Sequence, residues 1–552
     1  MKILTKDFDD YLRDESKLAG GAASEVVFPE SATEVARFLK ANAAQGAACR
    51  DQGSPCGNNG AACSNRGVAS NAQGAACGAK ITISGARTGI VGGAVPKGGK
   101  VLSLERMNQI KEFRYDATSR EWVVRVEPGV SLAAFQKLLL EKQLPDSRIP
   151  LGFESFQQDP RRFFFPVDAT ESSASLGGMA ATNASGARSF GYGPFRRYVR
   201  ALEIILADGE VVKIRRGQIS AGADDPIQLT TESGKKISFP ALRYRIPPVK
   251  HTAGFFNQPG LDPIDLFIGS EGLLGAIVEL ELAVKPEPEL WFGGLAFFTD
   301  EAEAIHLVRL IRDVSSEMFS LCRPVALEYF DRAALQLFNG TQGRRDLQLP
   351  EVPPDAGAGL FFEQEATEAE LERFCDVWDA ALTACGSSME RVWSALAPKD
   401  HLKLKSMRHL VPEAVNQKVG ENRKLCPEVH KVGTDLAVPN PYLEELMALY
   451  RRSLAEENIP AVIFGHIGNN NLHVNMLPTD SIGLQKAKSL HLKWAEWAVR
   501  RGGTVVAEHG LGKLKGQLLR ILYNETALAE MWMVKTALDP QNILSPGNVI
   551  TG

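Results

Sequence analysis

The sequence predicts an α+β protein of several folding units, and three observations support this prediction. The chain has 552 residues, too many for one hydrophobic core at about 150 residues per unit. In the first half, strand-like runs are separated by glycine-rich segments. After a proline-containing boundary at residues 285–288, strand-like runs alternate with helical ones, which is typical of a sandwich of the split β-α-β type.

The composition is that of an ordinary globular protein. Hydrophobic residues make up 44% and charged residues 23%, and the net charge is −4. Because basic and acidic residues nearly cancel, no positive surface for nucleic acid or anionic lipid is expected. The N-terminus lacks the apolar core of a secretory signal, and no run approaches the ~20 apolar residues of a membrane span. We therefore expect a cytoplasmic protein without a transmembrane segment, either free or peripheral at the inner membrane.

The first elements follow from short-range patterns. Residues 26–29 predict a strand, and the Ser-Ala-Thr-Glu sequence at 31–34 is a capping box that opens a helix through about Asn42. Further strands are predicted at 81–84, 101–104 and 122–126. An Asp-Gly turn between 202–206 and 210–212 predicts a hairpin, and the charged stretch from about 215 to 236 predicts a mobile loop.

A heptapeptide repeat interrupts this pattern between the first helix and the next strand. Glycine recurs at 46, 53, 60, 67 and 74, with cysteine three positions later at 49, 56, 63 and 77. Glycine and Pro55 oppose a helix, so a coiled coil is excluded. The spacing also differs from that of paired zinc ligands. We interpret residues 46–78 as a solvated low-complexity insertion, with metal binding and a redox role of the thiols left as alternatives.

Beyond the boundary, strands are predicted at 295–298 and 359–362, followed by helices from about Asp300 and Thr367. Farther on, an apolar run ends at His466, a Gly-Asn-Asn-Asn turn follows, and His473 lies in the alternating segment 472–476. If the two strands pair, both imidazoles can face one ion.

Glu508, after the β-rich residues 504–506, could add a carboxylate to these two imidazoles. Three protein ligands leave coordination positions open, as a catalytic metal requires. The alternative is that these are unrelated surface or core histidines. Because three of only nine histidines, His466, His473 and His509, fall in two glycine-bounded junctions, we favour one metal-assisted redox site.

Two glycine-rich segments in the first half predict a cofactor site. Residues 84–93 follow a strand, and their glycines allow the backbone to approach a pyrophosphate. Residues 166–186 are denser in small side chains, which lets a flat aromatic cofactor lie against the main chain. Neither segment has the spacing of a Rossmann or Walker loop.

Together with residues 271–277 and 539–548, these segments closely resemble the FAD-dependent D-2-hydroxyacid dehydrogenases of the vanillyl-alcohol oxidase superfamily. That group includes D-lactate dehydrogenase, the glycolate oxidase flavoprotein subunit and D-2-hydroxyglutarate dehydrogenase. The resemblance covers nearly the whole chain apart from the repeat. It implies a two-lobed FAD-binding domain of PCMH type over residues 1–286, an α+β ferredoxin-like cap domain over 287–500, and a C-terminal segment, 501–552, that returns to the flavin.

The resemblance also assigns cofactor contacts. By the family pattern, FAD would be contacted by Gly85, Ala86, Arg87, Thr88, Gly89, Thr170, Gly177, Gly178, Thr182, Asn183, Ser185, Gly186, Gly272 and Ile277. Residues 84–93 contain no histidine or cysteine. We therefore expect FAD to be bound non-covalently.

For the chemistry, the resemblance implies that His466, His473 and Glu508 bind a divalent metal, Zn²⁺ or Mn²⁺. The same pattern makes His509 the base, Asn475 a substrate contact, and Arg408 the group that grips the substrate carboxylate. Arg408 could otherwise be a surface cation on a helix. As the neighbour of Glu508 in an extended segment, His509 is expected to point the other way.

The family's Gly-Asp-Gly-Asn turn is here Gly-Asn-Asn-Asn, at residues 468–471, and Asn470 is expected to adopt a left-handed φ. Lys431 lies two positions earlier than the lysine that some relatives use. These departures leave the exact substrate open.

The resemblance implies oxidation of a small D-2-hydroxy acid to its 2-oxo acid, with hydride transfer to FAD. The acceptor that reoxidises the flavin would be a separate quinone, electron-transfer flavoprotein or cytochrome, and a homodimer is left open. Three alternatives remain. They are a non-redox flavin transferase of the alkylglycerone-phosphate synthase type, a flavoprotein subunit of a larger electron-transfer complex, and a metallohydrolase.

Overall fold

The computed structural model describes residues 1–51, 79–144, 147–219, 222, 224–313, 315, 319–395 and 398–550, and of residues 46–51, 398 and 399 only the backbone. Most of the predicted heptapeptide insertion, residues 52–78, therefore lies outside the described residues. Within the described ranges, no helix combines the length and apolar character needed to cross a bilayer.

The first sheet has the strand order β1-β2-β4-β3, with a parallel core and an antiparallel edge strand. Its strands are β1 (Lys2–Leu4), β2 (Glu25–Phe28), β3 (Ile81–Ser84) and β4 (Lys100–Ser103). Helix α1 (Ala32–Asp51) follows β2, and the backbone N–H of Glu34 donates to Ser31 Oγ at 3.3 Å. The helix begins where predicted but ends nine residues after Asn42, because the alanine-rich sequence that follows has high helix propensity. The prediction that residues 46–51 belong to a non-helical insertion is therefore wrong.

The second sheet is antiparallel, with the order β5-β6-β12-β8-β9. Its strands are β5 (Ile110–Asp116), β6 (Glu121–Val126), β8 (Val199–Ile205), β9 (Val211–Arg215) and β12 (Ala276–Pro286). The short strand β7 (Phe163–Phe164) pairs with the end of β12. Strands β10 (Ile227–Thr230) and β11 (Lys236–Phe239) form a separate hairpin. The predicted β8–β9 hairpin is confirmed, and Gly209 has φ +83°. The prediction of a mobile loop over 215–236 is wrong in part, because buried Ile227 and Leu229 anchor β10.

In the described part of this first half of the chain, five further helices follow α1. They are α2 (Leu132–Glu141), α3 (Phe153–Gln158), α4 (Leu176–Thr182), α5 (Ser189–Tyr192) and α6 (Ile264–Phe267). Buried aromatic rings fill the space between helices and sheet, with Phe113 and Phe156 stacked at 4.5 Å between centroids and Phe165 packed edge-on against Phe195. This packing fixes α4, which carries the second glycine-rich segment.

The third sheet is antiparallel, in the order β16-β13-β15-β14-β18-β19-β17. Its strands are β13 (Leu290–Phe298), β14 (Ala326–Asp331), β15 (Ala358–Ala366), β16 (Val392–Ser394), β17 (Val432–Gly433), β18 (Ala461–His466) and β19 (Asn471–Met476). Neighbouring Phe361 and Phe362 belong to different buried clusters, since successive strand residues point to opposite faces. Helices therefore cover both faces of this sheet.

The helices of the second half are α7 (Glu301–Arg312), α8 (Arg332–Gly340), α9 (Gln342–Asp346), α10 (Leu371–Ala384), α11 (Pro398–Leu425), α12 (Leu443–Glu457), α13 (Ser481–Arg500), α14 (Gly516–Leu522) and α15 (Glu525–Leu538). Helix α7 begins after the predicted Asp300, which forms a capping box with Glu303. The mixture of one parallel-core sheet, antiparallel sheets and covering helices confirms the α+β class.

The C-terminal segment returns to the first sheet. The Ile81 N–H donates to Ile543 O at 2.7 Å, and the Ser545 N–H donates to Ile81 O at 2.7 Å. Farther along, Asn548 Nδ2 donates to Gly93 O at 3.2 Å. The buried Glu271 carboxylate accepts the N–H of Leu511 at 2.7 Å. These bonds hold the chain after Glu508 against the glycine-rich half.

Removal of the repeat is expected to leave the fold and its cofactor content intact. Asn42 Nδ2 donates to Ala79 O at 2.9 Å, so the chain on either side of the insertion lies close together and a short connection suffices. Joining Gly46 directly to Ala79 should give a protein with unchanged flavin absorbance and cooperative thermal unfolding. Loss of flavin on this deletion would show that the insertion is part of the binding fold.

Candidate active site

The β18–β19 hairpin brings His466 and His473 together. His473 pairs with Phe464 across the hairpin, and Phe464 lies two residues before His466, so all three side chains share one face. The two imidazole centroids are 5.5 Å apart, with the rings nearly perpendicular. The turn between the histidines has Asn470 at φ +52°, which confirms the expected left-handed residue.

Hydrogen bonds behind the rings fix their orientation. His466 Nδ1 donates to Glu328 Oε1 of β14 at 2.6 Å, and His473 Nδ1 donates to Thr434 O at 3.1 Å. The Nε2 atoms are thereby directed to the other side, where each can present a lone pair once its ring is neutral. A carboxylate or carbonyl behind an imidazole is the usual support of a metal ligand.

Glu508 completes the group, and its two oxygens have different partners. Oε1 lies 2.9 Å from His466 Nε2 and 3.8 Å from His473 Nε2. Oε2 accepts from Ser185 Oγ at 3.3 Å and contacts Lys250 Nζ. Burial raises the pKa of Glu508, but His466 and Lys250 lower it well below its ordinary value. The carboxylate is therefore ionised.

The charge of His466 follows from the same contacts. Burial lowers the pKa of this imidazole, but Glu328 and Glu508 oppose that effect and raise the pKa to about 9. The two flanking carboxylates therefore favour the protonated form of His466. A bound divalent cation would take the place of its Nε2 proton, since metal ligation requires a neutral imidazole.

His509 lies over His473, with ring centroids 5.0 Å apart. Its Nδ1 is 3.2 Å from Asp435 Oδ2, and its Nε2 is 3.8 Å from Glu508 Oε1. The expectation that His509 points away from Glu508 is wrong, because residues 505–510 form bends rather than a regular strand. Burial lowers the pKa of His509, although Asp435 opposes this shift, so the ring is neutral near pH 7.

Asp435 orients the base. Its Oδ2 accepts the backbone N–H of His509 at 2.9 Å, and its Oδ1 accepts from Asn471 Nδ2 at 3.2 Å. Burial raises the pKa of Asp435, but His509 and Lys515 lower it well below its ordinary value. An ionised carboxylate on Nδ1 places the proton there and leaves Nε2 as the acceptor.

Among the described residues, two groups have donor atoms close enough to hold a metal ion. His466, His473 and Glu508 form one, and Asp435, His473 and His509 the other, each with its ligand atoms within 4.8 Å. The first group fits a divalent ion because its Nε2 and Oε1 atoms converge and each imidazole is supported from behind. The second fits poorly, since the Asp435 oxygens already accept several N–H groups.

Arg408 lies on α11 with its side chain 11% exposed, so it is not a surface cation. Its Nη1 lies 3.1 Å from Asp168 Oδ2, and its Nε lies 3.9 Å from Glu328 Oε2. Glu328 is also the hydrogen-bond partner of His466, so one carboxylate links Arg408 to the group formed by His466, His473 and Glu508. Asn475 is buried, and its Nδ2 donates to His473 O at 3.1 Å and to Val462 O at 3.4 Å, so the amide nitrogen is used within the sheet.

Several predicted FAD contacts converge at the end of β3. Ser175 Oγ accepts the N–H of Ala86 at 3.3 Å and that of Gly178 at 3.3 Å. A Cβ at Gly85 would lie 2.5 Å from Ser175 Oγ, whereas a Cβ at Gly89 would meet open space. The two glycine-rich segments therefore form one narrow cradle with an open side, which fits a dinucleotide held by main-chain groups.

The other predicted contacts divide into two sets. Some side chains are used within the fold, as Arg87 pairs with Glu105 at 3.3 Å, Thr182 Oγ1 donates to Gly178 O at 3.0 Å, and Asn183 Oδ1 accepts the Arg196 N–H at 3.0 Å. The others are half-buried Thr88, exposed Thr170, buried Gly177, Gly186 and Gly272, and Ile277, which packs in the hydrophobic core. Ser185 belongs to neither set, because its hydroxyl donates to Glu508 of the candidate active site.

Four residues of this site were missed by the sequence reasoning: Glu328, Asp435, Lys250 and Arg312. A glutamate in the apolar strand β14 was the only local signal among them. Arg312 of α7 holds the turn after His466, with Nη1 2.8 Å from Asn470 Oδ1 and Nη2 2.6 Å from Gly468 O.

Two family models match the sequence. The model of the FAD binding domain matches residues 72–147 and 157–215, and the model of the FAD linked oxidases, C-terminal domain, matches residues 294–549. The first match includes the glycine-rich cradle, and the second includes the β18–β19 hairpin and Glu508.

Individual proteins are similar over most of the chain. A D-lactate dehydrogenase of Archaeoglobus fulgidus is 29% identical over 473 residues, which is 84% of this chain and 84% of that protein. A mitochondrial D-2-hydroxyglutarate dehydrogenase of Bos taurus is 27% identical over 83% of this chain and 70% of its own length. The solved structure of an alkyldihydroxyacetonephosphate synthase aligns with a TM-score of 0.57 at 17% identity, covering 96% of this chain and 76% of that one. At that identity the last comparison shows the fold alone.

Proposed function

Because this chain belongs to the FAD-linked oxidases, we propose that it is a flavin-dependent dehydrogenase that oxidises a small D-2-hydroxy acid to the 2-oxo acid. The observation that carries the proposal is the group formed by His466, His473, Glu508 and His509. In this group, three side chains able to ligate a metal ion converge beside the neutral imidazole of His509, which Asp435 orients. Through Ser185 and Glu508 this group touches the glycine-rich half of the molecule.

In this proposal His466, His473 and Glu508 hold one divalent ion, Zn²⁺ or Mn²⁺. A bound divalent ion would supply Lewis acidity to a substrate oxygen. The protein contributes the geometry, because Glu328 and Thr434 fix the two rings and Lys250 and Ser185 fix the carboxylate. Three protein ligands leave room for a hydroxyl and a carboxylate oxygen of the substrate.

His509 takes the hydroxyl proton at Nε2, while Asp435 keeps the Nδ1 proton in place. Bound non-covalently in the glycine-rich cradle, FAD would supply the two-electron acceptor for the α-hydrogen. A separate acceptor, a quinone, electron-transfer flavoprotein or cytochrome, would then reoxidise the flavin.

Arg408 is proposed to bind the substrate carboxylate, and Asn475 is proposed to contact the substrate beside it. The Arg408 guanidinium is already held between two carboxylates, Asp168 and Glu328. Those partners fix its planar fork in one orientation, which suits recognition of a third carboxylate.

Anaerobic reduction of the purified flavoprotein tests the proposal. The protein is mixed with 2-hydroxy acids of both hands, and the flavin absorbance is followed together with product analysis. We expect bleaching by D-2-hydroxy acids, with one 2-oxo acid formed per flavin reduced. A flavin that stays oxidised with every acid, while an ether lipid forms without electron transfer, would favour the non-redox transferase. A colourless protein would favour the metallohydrolase.

Arg408→Met is expected to lower kcat/KM by about thirtyfold, because a charge-assisted pair with the substrate carboxylate is worth roughly 2 kcal/mol. Steady-state kinetics with the best acid from the bleaching screen measures this effect. Flavin content should stay unchanged, since Arg408 is not among the residues proposed to contact FAD.

Arg408→Lys is the matched variant, since it keeps the charge and loses the fork. It should fall between the wild type and Arg408→Met. Equal kcat/KM for all three proteins would remove Arg408 from substrate binding.

A further inference from the structure

Lys250 is a buried cation beside the proposed metal site, and holding the Glu508 carboxylate in place does not by itself require a charged side chain. It lies in the loop between β11 and α6, and its side chain is 7% exposed. Its ammonium contacts Glu508 Oε2. An ammonium is costly to bury unless it is paired, so this contact needs a reason that holds when Glu508 also binds a metal.

The position of Lys250 is rigid relative to Glu508. The next-but-one residue, Thr252, donates its N–H to Val506 O at 3.1 Å, and its hydroxyl accepts the Gly510 N–H at 3.4 Å. His251 Nδ1 and Thr504 Oγ1 lie 2.7 Å apart. These bonds clamp the chain on both sides of Glu508, so Lys250 and Glu508 meet as parts of one backbone unit.

The contacts divide the carboxylate. Glu508 Oε1 faces His466 and His473, and Oε2 faces Lys250 and the Ser185 hydroxyl. With Oε2 occupied, only one oxygen is available to an ion between the two imidazoles. The ammonium also withdraws negative charge from the oxygen that remains, and it repels a divalent cation across a dry site.

On the basis of the proposed metal site, we propose that Lys250 is a positioning residue that limits Glu508 to one ligating oxygen and thereby weakens metal binding. An ion whose charge is less strongly neutralised by its protein ligands keeps open coordination positions and polarises a substrate oxygen more strongly. Lys250 thus exchanges metal affinity for Lewis acidity at this site.

A purely structural role predicts the opposite sign. If Lys250 only anchors Glu508, its removal loosens a ligand and weakens metal binding. If Lys250 restrains the metal, its removal frees Oε2, removes a like charge and tightens metal binding. Metal retention in the resting flavoprotein therefore separates the two roles without any measurement of turnover.

The test compares Zn²⁺ loss to a chelator from the wild type, Lys250→Met and Lys250→Gln, with flavin content as the measure of folding. Both variants lack the charge, and Gln keeps an N–H donor for Oε2. We expect both to lose Zn²⁺ at least about tenfold more slowly than the wild type. In Co²⁺-loaded protein, the visible band of Lys250→Met should weaken and shift, as expected when Glu508 binds through both oxygens and the coordination number rises. Equal or faster loss of Zn²⁺ from both variants would overturn the proposal.

Two further variants isolate the charge. Lys250→Arg keeps a cation at Oε2 and should restore wild-type retention. Ser185→Ala removes the other partner of Oε2 without changing charge and should not slow Zn²⁺ loss. A wild-type protein without stoichiometric metal would instead refute the proposed metal site itself, whereas a metal-loaded wild type with unaltered retention in Lys250→Met and Lys250→Gln would refute only the role of Lys250.

Discussion

Replacing His466 by alanine is expected to abolish turnover and remove the bound metal while leaving the flavin in place. Loss of an outer partner such as Glu328 commonly costs about 10- to 100-fold in metal affinity. Loss of the ligand nitrogen itself should therefore cost more than about a hundredfold. The FAD cradle is built by other segments around Ser175, so its absorbance should persist. Metal analysis, flavin spectra and flavin reduction by substrate measure the three quantities on one sample.

His473→Ala should give the same result, and chelation of the wild type should mimic both variants. His306, which is exposed on α7, provides the matched control, and His306→Ala should keep metal, flavin and rate. An active wild-type enzyme that contains no divalent ion would refute the proposed metal site. Activity retained in His466→Ala with metal still bound would remove this histidine from the ligand set.

The hairpin that carries both histidines could be predicted because its signals are local. Apolar residues before His466, alternation after the turn, and an asparagine able to adopt positive φ all lie within a few residues of one another. The α+β class was predictable for the same reason, since it rests on the order of strands and helices. The strand after Asp208-Gly209 was equally local, and its hairpin is present.

The supporting residues could not be predicted, because they come from remote parts of the chain. Glu328 is separated from His466 by 138 positions, and Lys250 is separated from Glu508 by 258. Asp435 lies 74 positions before His509. No periodicity or turn signal records which of many charged residues meet across such distances. Pairing of β14 with β18 creates the first contact, and docking of the 250–252 loop on 504–510 creates the second.

The orientation of His509 shows a different limit. The sequence predicts an extended segment after residues 504–506, and alternation along such a segment would turn His509 away from Glu508. Capture of the Glu508 and His509 N–H groups by Asp435 replaces the ladder of a strand with a bend. A tertiary hydrogen bond thus overrides the local β preference, and it brings the proposed base to the same side as the proposed metal ligand.

His509→Ala is expected to lower kcat by about a hundredfold or more while metal and flavin contents stay unchanged, as loss of a general base predicts. The ring lies beside the ligand group without joining it, because among the described residues the donor atoms of His466, His473 and Glu508 lie within 4.8 Å of one another and His509 belongs to a separate group. Removal of the imidazole thus takes away a proton acceptor without removing a metal donor. Flavin reduction under single-turnover conditions measures the chemical step, and metal analysis is made on the same protein.

Chemical rescue distinguishes a general-base role of His509 from a purely structural role. If His509 accepts the hydroxyl proton, added imidazole should restore part of the flavin reduction rate of His509→Ala, because the vacated space lies beside the substrate position. His509→Asn should remain slow, since an amide can fill the space and hydrogen-bond to Asp435 but cannot take a proton. If His509 only supports the Glu508 bend, His509→Asn should retain most of the activity and imidazole should have no effect. Loss of metal from His509→Ala would instead make His509 a ligand, and the second group, with Asp435 and His473, would become the metal site.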